Sequence, residues 1–359
     1  MKVLLIGPFP LPLDGCSFAN EILYQNLDER NVLKDRINTN TAIVSSKQGY
    51  SFSLQKTVSF MGKYTYFYKI FNSDVVYVTP GQTFFGIMKY SPFLWLCQLL
   101  SKPYIIHVHG NYLGEEYKRL SGIKKNVFKR LISKAAAGIV LSKSLIKNFK
   151  SLLPNEKVFI VENFVSNALY HQKAIKKTDK LRVIYLSNLI KEKGIIDLLD
   201  ALIILDSNAV EFDAVLAGAI DAANEQAITV RLEKLKGKVT YLGVVSGNSK
   251  TEVLWNANVF VLPTYYPMEG QPIALLEGLA TGNVIVTTKH SGIPDIIDES
   301  NGFFVPVQSP ESIATCLKKI SNNLQDSINT FSQYNIKYAA EKFTEEKFTN
   351  KVLGIMQSL

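Results

Sequence analysis

Short apolar runs alternate with longer amphipathic ones along the whole chain. Lys2–Gly7, with Val3, Leu4, Leu5 and Ile6 in succession, reads as a buried strand, and so do Thr41–Ser45, Val75–Pro80, Tyr104–Gly110, Ala137–Ser142 and Val158–Asn163. In the second half Leu181–Ser187, Phe212–Gly218, Val239–Gly243, Val259–Thr264, Asn283–Thr288 and Gly302–Val305 repeat the pattern. Continuous hydrophobicity is what a strand covered on both faces requires, and helices crossing over between parallel strands supply the cover. Each half therefore reads as a doubly wound, Rossmann-like α/β domain. Ligands of such sheets bind at the carboxyl ends of the strands, so two such domains facing across a cleft make that cleft the expected site.

The stretch from Ser166 to Lys180 is polar and lysine-rich, without apolar periodicity, and reads as a linker. It divides the chain into a first domain over residues 1–165 and a second over 166–335, as its 359 residues lead one to expect. Residues 336–359 place Tyr338, Phe343, Phe348, Val352, Ile355 and Met356 at helical spacing. They predict a C-terminal helix packing back on the first domain.

The richest apolar stretch, Pro92–Leu100, is half the length of the roughly 18 residues that a membrane-spanning helix needs. Met1-Lys2 leads straight into a strand, unlike a signal peptide. A cytoplasmic protein is expected. Cys16, Cys97 and Cys316 have no CxxC spacing and predict buried thiols, with neither a disulfide framework nor a zinc site.

The net charge of +9 is unevenly divided. Residues 1–165 hold 21 Lys+Arg against 10 Asp+Glu, residues 166–359 hold 19 against 21. The basic first half is expected to face something anionic, a membrane surface or nucleic acid. Lys56–Lys69 interleaves lysines with Phe60, Tyr64, Tyr66, Phe67 and Tyr68, and Lys118–Lys134 is densely basic. Such segments suit an interfacial membrane contact, or single-stranded nucleic acid.

Candidate chemistry concentrates after the strand Val259–Thr264. Glu269 and Glu277 flank Gly270-Gln271-Pro272, and a proline is tolerated in the first turn of a helix. Glu269 and the N–H groups of Gly270 and Gln271 would then lie at a helix N-terminus, which binds polar or anionic groups, with Glu277 about two turns along. Spacing alone proves little, because Glu21/Glu29 and Glu225/Glu233 share it on expected surface helices. Neither half has G-x-G-x-x-G after its first strand, nor a P-loop, which removes most support for a dinucleotide-dependent dehydrogenase.

The segment from Glu269 to Glu277 resembles the E-G-x-P-x-x-x-x-E signature of the retaining glycosyltransferases of family four. The resemblance continues through Gly282, Val284-Ile285-Val286, Gly292-Ile293-Pro294 and Asn301-Gly302. It implies the GT-B fold, with Glu269 contacting the donor sugar and Glu277 the ribose of its nucleotide. The family's G-R-x-x-x-x-K-G loop corresponds to Leu186–Gly194, where Lys193 and Gly194 match and Asn188 stands at the arginine position. Lys193, with helix dipoles, is expected to compensate the leaving diphosphate, and Asn188 to donate one neutral hydrogen bond. In the first half His109-Gly110 matches the family's histidine-glycine near the reacting sugar, while His107 reads as a satisfied buried histidine. The Pro8–Ser17 loop offers Gly15 for close approach to the donor, and Ser17 as a helix cap.

The resemblance thus implies transfer of a sugar, with retention, from a nucleoside-diphosphate sugar, UDP-linked, to a hydroxyl of a glycan or lipid-linked acceptor in cell-surface polysaccharide synthesis. Neither cofactor nor metal is expected, and the basic half is expected on an anionic membrane at the inner face of the cell membrane rather than on nucleic acid. Two alternatives stay open: a GT-B nucleotide-sugar epimerase, and a catalytically silent envelope-assembly subunit, which Asn188 favours.

Overall fold

The computed structural model describes residues 1–11, 14–40, 60–171 and 176–359. The chain forms two compact units, Met1–Asn163 together with Glu345–Leu359, and Phe164–Thr344.

The first unit is built on six parallel strands: β1 (Lys2–Gly7), β2 (Leu33–Asn38), β3 (Val75–Val78), β4 (Tyr104–Val108), β5 (Ala137–Val140) and β6 (Val158–Ile160), in the order β2-β1-β3-β4-β5-β6. Central strands β3, β4 and β5 are buried at every position because helices cover both faces. On one face Gly15–Glu29 packs against the helix Glu345–Gln357; elsewhere Tyr68–Phe71, Ser91–Leu99 and Gly122–Ser133 pack in series. β2 had no apolar signal, since Leu-Lys-Asp-Arg-Ile-Asn is an edge strand that buries only Ile37. The expected strand Thr41–Ser45 lies outside the described residues.

The second unit repeats the architecture with β7 (Leu181–Leu186), β8 (Phe212–Ala217), β9 (Val239–Tyr241), β10 (Val259–Leu262), β11 (Val284–Thr287) and β12 (Gly302–Phe304), in the order β12-β11-β10-β7-β8-β9. All pairings in both sheets are parallel.

Two boundaries differ from expectation. The stretch from Ser166 to Lys180 is not a solvated linker where it is described: Leu169 is buried and accepts a hydrogen bond from Trp255 Nε1 through its carbonyl. Lys176 is buried too, and its ammonium donates to the carbonyls of Leu254, Trp255 and Ala257 at the end of the Gly247–Asn256 helix. Residues 336–342 end a 19-residue helix, Leu324–Lys342, that stays within the second unit. Only Glu345–Leu359 joins the first unit, because the helix breaks at Phe343-Thr344.

Candidate functional site

In the second sheet the chain runs outward from β7 in one direction through β8 and β9, and from β10 in the other through β11 and β12. Loops leaving the carboxyl ends of β7 and β10 therefore diverge, and this switch point is where open α/β sheets bind ligands. Both sequence motifs arrive there. After β7, residues 191–193 form one 3-10 turn, closed by Gly194 at φ +80. A side chain at Gly194 would meet the Pro263 carbonyl oxygen at 2.4 Å, so glycine is what lets the β7 loop lie against the β10 loop. The Tyr265 N–H donates to the Glu192 carbonyl across that contact at 2.8 Å.

The result is an ion pair between residues 76 positions apart. Lys193 Nζ donates to Glu269 Oε2 at 2.7 Å, and the Thr264 hydroxyl donates to the same oxygen at 3.0 Å. Glu269 is 6% exposed. Its backbone is clamped as well: the Ser291 hydroxyl donates to the Glu269 carbonyl, and the Gly292 N–H to that of Gly270. Burying a carboxylate is costly unless it is paired and hydrogen-bonded, and here both conditions are met on one oxygen. The other, Oε1, has no hydrogen bond from the described residues.

Glu277 repeats the arrangement. It is 3% exposed and accepts a hydrogen bond on Oε1 from Lys250 Nζ at 2.6 Å, with no donor to Oε2 among the described residues. Lys250 carried no motif signal; it sits in the polar first turns of Gly247–Asn256, and only the fold brings it to its partner. Each glutamate thus has one oxygen fixed by a lysine and the other available.

Some expectations need correcting. Pro272 is the cap of the helix Ile273–Ala280 rather than a residue of its first turn. Glu277 is consequently one turn into the helix, and Glu269 precedes it. Gly270 and Gln271 are buried beside them. Asn188 is exposed, its side chain bonded to no group among the described residues; its carbonyl accepts from Tyr185 OH at 3.1 Å. The control glutamates Glu225 and Glu233 are exposed on Glu225–Lys234.

In the first unit, His109 follows β4 and its ring lies 4.1 Å, centroid to centroid, from that of His107. His107 is only half satisfied: Nδ1 bonds the Tyr77 hydroxyl, while Nε2 is buried without a partner. His109 Nε2, Asn111 Oδ1 and Asn20 Oδ1 are likewise buried and unpartnered. Burial pushes the His109 imidazole down to about 4, and holds His107 well below its ordinary range with the neighbouring His109 adding to the effect. His109 is a neutral polar group at neutral pH. The cap of the Gly15–Glu29 helix is Asp14, which accepts from the Ser17 N–H at 2.7 Å, and Ser17 Oγ accepts from the Asp14 N–H at 2.8 Å. Gly15 is the first residue of that helix.

Residues 166–338, which span most of the second unit, match the family model of glycosyl transferases group 1. The chain is 27% identical over 153 residues to the amylovoran biosynthesis glycosyltransferase AmsK of Erwinia amylovora, covering 41% of this chain and 38% of that protein. It is 24% identical over 318 residues to the uncharacterized glycosyltransferase MJ1607 of Methanocaldococcus jannaschii, covering 81% and 75%. The chain spans about half the length, or less, of the first curated relatives it matches. Among solved structures, HepE of Anabaena in complex with UDP superimposes with a TM-score of 0.75 at 14% identity over all of both chains. At that identity the likeness shows the fold: two parallel-sheet, Rossmann-like domains, as in GT-B glycosyltransferases.

Proposed function

We propose, from a second unit that matches the family model of glycosyl transferases group 1, that the protein transfers a sugar, with retention and without a metal, from a UDP-linked donor to a hydroxyl of a glycan or lipid-linked acceptor in cell-surface polysaccharide synthesis. The observation that carries the reading is the pair of buried glutamates at the switch point, each with one oxygen held by a lysine and one open. The open oxygen of Glu269 accepts from hydroxyls of the transferred sugar, and that of Glu277 from the ribose. An ammonium has three N–H donors, so Lys193 can keep Glu269 and still donate to the diphosphate. The bond from the anomeric carbon to the diphosphate oxygen breaks, the acceptor hydroxyl oxygen bonds the same carbon from the same face, and its proton passes to the departing phosphate. HepE was crystallised with UDP and UDP-glucose, and AmsK is named for amylovoran biosynthesis; both support the donor and pathway classes.

The test is a thermal-shift screen over nucleoside diphosphates followed by turnover of the matching sugars. A ligand at a hundred times its dissociation constant stabilises by about 2.7 kcal/mol, readily seen as a shift. UDP should shift melting, and UDP-sugar should release UDP faster with acceptor present, giving a product of unchanged anomeric configuration. No shift with any nucleotide sinks the proposal. Asn188 favours one second reading, a silent subunit: nucleotide would bind but no sugar would leave it. Interconversion of the donor without acceptor would instead indicate an epimerase.

A further inference from the structure

The helix Ser91–Leu99 of the first unit breaks the rule for surface helices. Phe93, Leu94 and Cys97 face the core, as expected. The opposite side should be polar. Instead it carries Trp95 and Leu99, one turn apart, at 46% and 80% exposure, with half-buried Pro92 on the same side. An apolar residue left in water at one position is ordinary; a helix face with no charge on either side of the turn is not. The neighbours extend the face. Tyr68–Phe71, which packs against this helix, exposes Tyr68 and Phe71; Gly122–Ser133, which also packs against it, exposes Ile123 at 81%.

The segment that carries this face is strongly basic. Residues 60–135, which contain all these helices, hold 11 Lys+Arg against 3 Asp+Glu. Most of the chain's excess of +9 therefore lies in the segment with the bare apolar face. Of the aromatics that the sequence interleaved with lysines, Phe60 is buried and Tyr64 and Phe67 stack on each other and pack on Phe93, whereas Tyr66 and Tyr68 are exposed. Lys56 lies outside the described residues.

We infer that the outer face of Ser91–Leu99 is the membrane anchor of this protein: Trp95 and Leu99 insert among the headgroups and upper acyl chains of an anionic lipid surface, with the surrounding lysines and arginines meeting the lipid phosphates. A shallow apolar wedge ringed by cations is the composition that interfacial binding requires, since buried apolar area and attraction to anionic lipid add. A protein partner for the same wedge would have to be acidic, and a second copy would bring two such basic segments together. The inference deepens the anionic-surface expectation by naming the residues that enter the lipid.

The experiment uses the full chain with vesicles of phosphatidylglycerol and phosphatidylcholine, or of phosphatidylcholine alone, some carrying brominated acyl chains. Trp95 is one of two tryptophans, and Trp255 is 5% exposed, so a lipid-borne quencher reads Trp95. Emission should blue-shift and be quenched by brominated anionic vesicles in the wild type, and lose both responses in Trp95→Phe, which keeps an apolar ring and should still sediment with the vesicles. The double variant Trp95→Ser, Leu99→Ser should lose about tenfold or more in partition, with circular dichroism and UDP-induced thermal shift as in the wild type. Salt-sensitive sedimentation without quenching overturns the anchor while leaving surface attraction standing. Equal sedimentation with neutral vesicles overturns the anionic reading, whatever UDP does. A Trp95 blue shift that rises with protein concentration in the absence of lipid, matched by dimers in sedimentation velocity, assigns the face to a second copy and also overturns it.

Discussion

Lys193 Nζ donates to Glu269 Oε2 at 2.7 Å, joining the loop after β7 to the loop after β10. The proposed cation for the leaving group and the proposed carboxylate for the transferred sugar are therefore one structural unit. Removing either partner alone leaves a mostly buried charge uncompensated, whereas removing both does not.

A double-mutant cycle reads this coupling. Lys193→Met and Glu269→Gln should each destabilise, the lysine variant by about 3 kcal/mol because the charge it strands is the more deeply buried, and the double variant by less than their sum. Urea unfolding of the four proteins measures it. Strictly additive losses would show that the pair does not act as a unit. In turnover, all three variants should lose sugar transfer, and Glu269→Gln should retain affinity for free UDP.

The second pair separates nucleotide recognition from chemistry. Glu277→Ala should weaken UDP binding by about 1–3 kcal/mol, the cost of leaving ribose hydroxyls unpaired. Lys250→Met should weaken it in the same direction and add little on top of Glu277→Ala, because Lys250 acts on the ribose through that carboxylate; Lys250→Arg should restore most of the loss. Glu225→Ala and Glu233→Ala share the glutamate spacing but lie exposed on Glu225–Lys234, and should leave binding and rate unchanged. Calorimetric titration of UDP into the five single variants and the Lys250→Met, Glu277→Ala double decides it, with normal binding by Glu277→Ala as the outcome that would remove the ribose assignment.

His109 predicts a pH dependence. Its folded-state value of about 4 lies below the ordinary 6.5, so between these values the unfolded chain binds more protons. Stability is then full above pH 6.5 and is lost as pH falls towards 4, by up to about 1.4 kcal/mol per pH unit for one imidazole. The difference in urea midpoint between wild type and His109→Asn should be constant above pH 7 and change below 6.5. A difference that is constant down to pH 4.5 would show that the imidazole protonates freely in the folded protein.

Turnover should survive EDTA. The two carboxylates of the site are each taken up by a lysine, and Lys193 is the cation proposed to meet charge on the leaving group. Loss of activity on chelation, restored by magnesium or manganese, would transfer that role to a bound cation.

Much of the fold was legible in the chain. Uninterrupted runs such as Val3–Ile6 and Val259–Leu262 report strands covered on both faces, and the covering helices announce themselves by period, so two doubly wound sheets follow from local pattern. The E-G-x-P-x-x-x-x-E segment marked Glu269 and Glu277 as well, because a helix start and a motif are local too. Where pattern and cover part company the reading failed. Leu33–Asn38 is a strand without an apolar run, since an edge needs only one buried residue. Pro92–Leu100 read only as the richest apolar stretch in the chain, although one side of Ser91–Leu99 stands in solvent.

What the sequence determined by itself, then, is which segments are strands and helices and which carboxylates belong to a family signature. Only the tertiary structure decided that Lys193 meets Glu269 and Lys250 meets Glu277, that the chain's last helix starts at Glu345 and joins the first unit, and that Trp95 and Leu99 are outside while Phe60 is inside. Periodicity records whether a residue is covered, never by what. The partner of a charge 76 positions away is set by strand order, which lays β7 beside β10 and closes the distance that the chain leaves open.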